Sequence, residues 1–140
     1  MLDLTKEGDV HIDQRLRSDP IIWLSTVRRD GRPHTVPVWF LWDGKTVLIF
    51  SQPDKQKIRN LRNNPNVTLA LDGTDEGGDV IVLEGKAELL KEKSTELNLP
   101  DYFTKYGSSL QEMGQTPESI AQSFSQPIRI TPTKFIAWSE

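Results

Sequence analysis

Two Asp-Gly pairs, Asp30-Gly31 and Asp43-Gly44, punctuate the early part of the chain, and each lies between runs rich in β-branched and aromatic residues. Asp-Gly favours the positive backbone dihedrals of two-residue hairpin turns, so it is a strong local signal for adjacent antiparallel strands. The first run is Ile21 to Val27, the second about Pro33 to Trp42, and the third Thr46 to Ser51. Together they predict an antiparallel meander, and the rest of the chain must be built onto that sheet.

The period then changes. Asp54 to Asn63 is polar with a narrow stripe at Ile58 and Leu61, which predicts a short helix with Asp54 as N-cap, stopped by Asn64-Pro65. Val67–Leu71 reads as a fourth strand, and residues 72–78 as an acidic, glycine-rich loop. Val80 to Leu89 reads as a long fifth strand, with Gly85 inside it marking a bulge or sharp bend. Pro127 to Trp138 alternates as a sixth. A short amphipathic helix is expected near Asp9–Arg17. Others are expected near Pro100–Tyr106 and Thr116–Ser123, the last opened by a Thr-Pro start. The expectation is a mainly β chain with short helices, a six-stranded antiparallel split barrel forming one domain over residues 1–140.

Composition narrows the function. The net charge of −3 offers no global positive field, so general nucleic-acid binding is not expected and any anion site must be local. The chain has no cysteine, which removes disulfides, thiolate metal sites and cysteine nucleophiles. Its two histidines, His11 and His34, are poorly placed to cluster, so no metal centre is expected. The N-terminus is charged and no long apolar run follows, so the expectation is a cytoplasmic protein without a membrane span.

The corner Phe50-Ser51-Gln52-Pro53-Asp54-Lys55-Gln56-Lys57 is the most informative local feature. A strand delivers a hydroxyl and an amide, and a helix begins at once with Lys55, Lys57 and Arg59 on its first turns. Helix N-terminal amides with a lysine and a hydroxyl form a phosphate cradle. The same pattern also fits a solvated helix with ordinary surface lysines. In Val36-Pro37-Val38-Trp39, Pro37 cannot donate to a ladder, so one strand edge must be free there. That edge can read the polar rim of a planar ring, or simply be an edge. Trp23, Trp39, Trp42 and Trp138 supply core or interface aromatics, and Arg129 is a candidate anion contact or ion-pair partner. No catalytic constellation stands out, so any reaction would be carried by a cofactor.

These segments resemble the pyridoxamine 5′-phosphate oxidase-like superfamily of FMN-binding split barrels, nearest its small branch of coenzyme F420-dependent oxidoreductases. The resemblance spans nearly the whole chain. It is carried by Trp23–Val27, Pro37–Gly44, Ser51-Gln52-Pro53, Lys57, Arg59–Arg62, Asn64–Val67, Gly77–Val80, Glu84-Gly85, Thr116–Ser119 and Ile128–Thr133. It implies a homodimer with a cofactor cleft at the subunit interface, FMN or alternatively F420, and hydride transfer to or from a small molecule. Ser51 and Lys57 would grip the cofactor phosphate with Gln52 nearby, and Val36, Pro37, Val38 and Trp39 would lie along the ring. The partner would close the cleft through Gly77-Gly78 or Trp138. The chain departs from pyridoxamine phosphate oxidases proper, since it ends Lys134 to Glu140 without their Arg-Leu-Ala-Pro-like motif. A non-catalytic flavin or haem carrier or sensor on the same barrel is the alternative.

Overall fold

The computed structural model describes residues 1–73 and 75–139. Thr74, in the expected acidic loop, and the terminal Glu140 lie outside the described residues. The strands are β1 (Ile22–Val27), β2 (Pro33–Val38), β3 (Leu41–Trp42), β4 (Val47–Ser51), β5 (Asn66–Leu71), β6 (Asp79–Leu89) and β7 (Gln126–Ser139). The helices are α1 (Glu7–Ser18), α2 (Gln56–Asn63), α3 (Leu99–Glu112) and α4 (Pro117–Ser123). The strands form one sheet in the order β2-β1-β5-β6-β7-β4-β3, every pairing antiparallel. Its two edge strands, β2 and β3, follow one another in the chain with only Trp39 and Phe40 between them. A sheet whose edges are tied so closely must roll, which gives an antiparallel half-barrel.

The sheet has seven strands rather than the expected six. The run read as one strand from Pro33 to Trp42 breaks at Trp39-Phe40. There the backbone leaves the ladder for α3: Phe40 N donates to the Tyr106 hydroxyl at 2.9 Å, and Phe40 O accepts from Lys105 Nζ at 2.8 Å. Asp54 is not the N-cap of α2. Lys55 holds that position with no side-chain cap, and the Asp54 carbonyl instead accepts from Arg59 at 2.8 Å. α3 runs well beyond the short helix expected at Pro100–Tyr106. Thr116 does cap α4, accepting from Ser119 N with Pro117 in the first turn. The bend foreseen at Gly85 is a register shift between Glu84 and Gly85. A Cβ there would lie 2.7 Å from the Thr131 carbonyl, so only glycine lets β7 approach.

β4 is buried on both sides. Val47 and Ile49 face the barrel interior with Ile22, Leu24, Leu69, Ile81, Leu83, Ile128 and Ile130, and α1 plugs it with Ile12 and Leu16. Leu48 and Phe50 face outward into a second cluster with Tyr102, Tyr106, Leu110 and Ala121 from α3 and α4. The outward face of the opposite strands is not covered in this way. Pro37, Trp23, Ala70, Val82 and Ile136 are successive register partners across β2, β1, β5, β6 and β7. They make an apolar row, with Val80 and Trp138 paired beside it. Trp23 is 38% exposed and Trp138 53%. No helix of the described residues is long and apolar enough to cross a membrane.

Candidate functional site

β4 runs into the start of α2 through Gln52-Pro53, which sets Lys57 in the first turn of the helix. Lys57 is half-buried and makes no hydrogen bond or ion pair among the described residues. Burial pushes its ammonium below the ordinary lysine range, and the charge of Lys55 adds to this. The β1–β2 hairpin brings Arg28 and His34 to the same corner. The His34 imidazole is pushed down by burial first, then by the charges of Arg28 and Lys57. Its Nδ1 is sealed from solvent with no hydrogen-bond partner. Buried polar atoms are rarely left so, and a cluster of cations without a facing anion is costly unless something binds it.

The corner is braced from behind. Asn60 Nδ2 donates to Thr26 Oγ1 at 2.9 Å, and Gln56 Nε2 donates to Asn60 Oδ1 at 2.7 Å. Arg59, expected to face an anion, instead donates to the Asp54 carbonyl and to Gln56 Oε1, both at 2.8 Å. No side chain caps the N-terminus of α2.

Lys57 stands at one side of a cavity of about 310 Å³. The free edge of β2 contributes Pro37 and Val38, the break after it contributes Trp39, β4 contributes Phe50, and α3 contributes Tyr102. Met113, Ile120 and Phe124 complete an apolar wall with no carboxylate in it. Trp39 is held rigidly: its ring stacks on Tyr106 at 4.2 Å and 1°, and Phe50 stacks on Tyr102 at 5.0 Å and 14°. Burial pushes the phenols of Tyr102 and Tyr106 above the ordinary range, so both stay protonated. The cavity thus has one cationic end and flat aromatic walls. It suits a planar ring carrying an anionic group better than a polar or cationic ligand.

Of the residues singled out in the sequence, Pro37, Val38, Trp39 and Lys57 converge on this cavity. Val36 is half-buried on β2, on the same strand face as His34. Ser51 is fully buried, its hydroxyl donating to the Gln52 carbonyl at 2.8 Å, and neither Ser51 nor Gln52 lines the cavity. Trp138 lies at the far end of β7 beside a different hollow shared with His11 and Asp79. Among the described residues there is no cluster suited to a metal ion. Sequence reading missed Phe50, Tyr102 and Phe124 as walls and Tyr106 as the ring that backs Trp39, and it gave His34 no part in the corner. The four-residue spacing of Tyr102, Tyr106 and Leu110 was the available signal for α3.

The family model described as Pyridoxamine 5'-phosphate oxidase matches residues 9–139. A solved structure described as an F420 reductase is 25% identical, with a TM-score of 0.70 over 89% of this chain and 94% of that one. General Stress Protein 26 from Bacillus anthracis str. Sterne is 27% identical, with a TM-score of 0.67 over 91% of this chain and 90% of its own. A conserved hypothetical protein from Mycobacterium tuberculosis shares the fold at 22% identity, with a TM-score of 0.74 over 96% of this chain and 84% of that one.

Proposed function

Because the chain belongs to the pyridoxamine 5′-phosphate oxidase family, we propose that it is a cytoplasmic homodimeric oxidoreductase that binds a flavin-type cofactor, FMN or coenzyme F420, in the cavity beside Lys57. The observation that carries this reading is the pairing of a partnerless Lys57 and a sealed, unpartnered His34 Nδ1 with a flat-walled aromatic cavity. Similarity to a structure described as an F420 reductase supports the deazaflavin. The apolar row supports a second copy: Pro37 is both the end of that row and a wall of the cavity, so a partner seated on the row reaches the cavity mouth.

When bound, such a cofactor supplies the hydride chemistry. The chain's own residues position and shield. Lys57, with Arg28 and His34 behind it, holds the anionic group by charge-assisted hydrogen bonds. The unpaired edge of β2 from Val36 to Val38, and Trp39 at the break after it, offer backbone groups to a polar ring edge, with Pro37 leaving a gap in the donors. Trp39, Phe50 and Tyr102 fix the plane of the slot and exclude water from it. The cavity lining holds no carboxylate or imidazole to act as general base, so the side chains contribute orientation and electrostatics.

The test is the absorption spectrum of the purified protein, with titration of FMN and F420. Anaerobic reduction of the loaded protein and mixing with small acceptors would follow. Saturable binding of one cofactor, and reoxidation faster than that of the free cofactor, is the expected result. Binding without faster reoxidation would move the protein to the carrier reading, and no binding of either cofactor would overturn the proposal.

A further inference from the structure

A larger cavity of about 490 Å³ lies between the end of α1, the β3–β4 hairpin and α3. It shares no lining residue with the Lys57 cavity, since Asp101, Thr104 and Lys105 of α3 face it while Tyr102 and Met113 face the other. Three cations line it: Arg17, Lys105 and Arg129. Arg129 is half-buried on β7, and its side chain makes no hydrogen bond and no ion pair with any described residue. Its Nε is sealed from solvent without an acceptor. Its register partners are Leu48 and Glu88, and Glu88 is exposed and unpaired with it among the described residues.

Two carboxylates, Asp43 and Asp101, line the same cavity, but neither forms a hydrogen bond or ion pair with Arg129 among the described residues. Asp43 is already committed to its own turn, accepting from Lys45 N at 2.8 Å, Thr46 N at 2.6 Å and Thr46 Oγ1 at 3.0 Å. Burial pushes Asp43 up, but those bonds and then the charge of Arg129 hold it below the ordinary range. Asp101 is exposed and in no ion pair among the described residues. Arg17 spends its Nε on Asp13 at 2.9 Å, and Lys105 spends one donor on the Phe40 carbonyl at 2.8 Å, which leaves donors on both. A half-buried guanidinium whose Nε is sealed without an acceptor points to a missing one, and the planar fork of arginine matches an oxyanion.

We propose that this cavity is a second binding site, separate from the cofactor corner, in which Arg129 with Arg17 and Lys105 holds the phosphate or carboxylate of a small organic molecule. The cavity is larger than a bare oxyanion needs, and Leu41, Trp42 and Leu48 give it an apolar wall for the rest of the ligand. An anion with an aromatic or aliphatic body therefore binds more tightly than inorganic phosphate.

The experiment follows the Arg129 Nε–Hε resonance by nitrogen–proton correlation spectroscopy while inorganic phosphate, phenyl phosphate or benzoate is added. Following one side chain separates this site from the Lys57 corner. The expected result is a saturable shift, with phenyl phosphate tighter than inorganic phosphate, and the comparison with benzoate tells phosphate from carboxylate preference. Lys57→Ala leaves the shift unchanged. In Arg129→Gln, followed through the Trp42 indole resonance, binding weakens by about tenfold or more. Arg17→Gln, which keeps Arg129 itself visible, is the second variant should Arg129→Gln fail to fold. A shift that rises linearly without saturating, or that survives unchanged in both variants, means an adventitious ion only and overturns the proposal.

Discussion

Replacing Lys57 with alanine separates binding from folding, because the structure assigns the two effects different sizes. The Lys57 ammonium is half-buried, has no partner among the described residues and is repelled by Lys55. Part of its hydration is already lost on folding, so an arriving phosphate gains a preorganised donor at little further desolvation cost. A hydrogen bond to a charged group contributes about 1.5–3 kcal/mol, which corresponds to a dissociation constant about 10- to 150-fold weaker in Lys57→Ala. Arg28 and His34 remain, so binding weakens without vanishing. The ligand-free protein loses no hydrogen bond or ion pair and is relieved of a repulsion, which offsets the lost packing of the lysine stem, so its melting temperature changes little. Calorimetric titration with FMN and with F420 at low and high salt, alongside thermal melts, reads both effects. The difference between wild type and variant should shrink as salt rises. A dissociation constant within about twofold of wild type in a folded variant would refute the role of Lys57. A melting point lowered by several degrees would show that the ammonium has a structural partner after all.

Tyr106→Phe removes the hydroxyl that accepts from Phe40 N and donates toward the Pro20 carbonyl at 2.7 Å. It strands a buried N–H at the β2–β3 break, so chemical denaturation should show a loss of about 1–3 kcal/mol, and an unchanged midpoint would contradict that account of the break. Trp23→Glu puts a carboxylate in the middle of the apolar row, so sedimentation should show dissociation to folded monomers with cofactor affinity falling alongside; a dimer that persists would locate the interface elsewhere. Burial lowers the Lys105 amine to about 8 from its ordinary 10.5. Between those two values the unfolded chain binds more protons than the folded one, so stability rises with pH through that window. Tyr102 and Tyr106, held above their ordinary 10.0, reverse the trend once the unfolded chain begins to lose phenolic protons. Melts across this range on wild type and Lys105→Met check it: the variant should lose most of the rise, keeping the part that the similarly depressed Lys57 contributes, and keep the later fall, and an undiminished rise would assign the effect to another group.

Turns and single elements were legible wherever a local rule was strong, but the strand order was not: the expected three-strand meander is instead two hairpins, β1–β2 and β3–β4, at opposite edges of the sheet, because the 33–42 run breaks at Trp39-Phe40. Asp30-Gly31 and Asp43-Gly44 place their turns, Gly85 marks the bulge, and Thr116-Pro117 opens α4, because each depends on a few adjacent atoms. Pro37 correctly placed β2 at an edge. What failed was decided by distant residues. Nothing near Trp39-Phe40 announces a break, since its cause is Tyr106 and Lys105, far along the chain. The same holds for the site. Lys57, Pro37, Val38 and Trp39 were readable from their own strand and helix, whereas the walls from α3 and α4 depend on how those helices fold back over β4. His34 looked ordinary because its isolation is a property of the folded corner and not of its neighbours in sequence.

A crystal structure of the protein grown with FMN or F420 would show directly where the cofactor sits. The cofactor phosphate should lie within hydrogen-bond distance of Lys57 Nζ, with the ring along Pro37 to Trp39 and a second subunit seated on the row that contains Trp23. A cofactor found away from the Lys57 corner, or a ring lodged outside the cavity walled by Trp39, Phe50 and Tyr102, would contradict the proposed site.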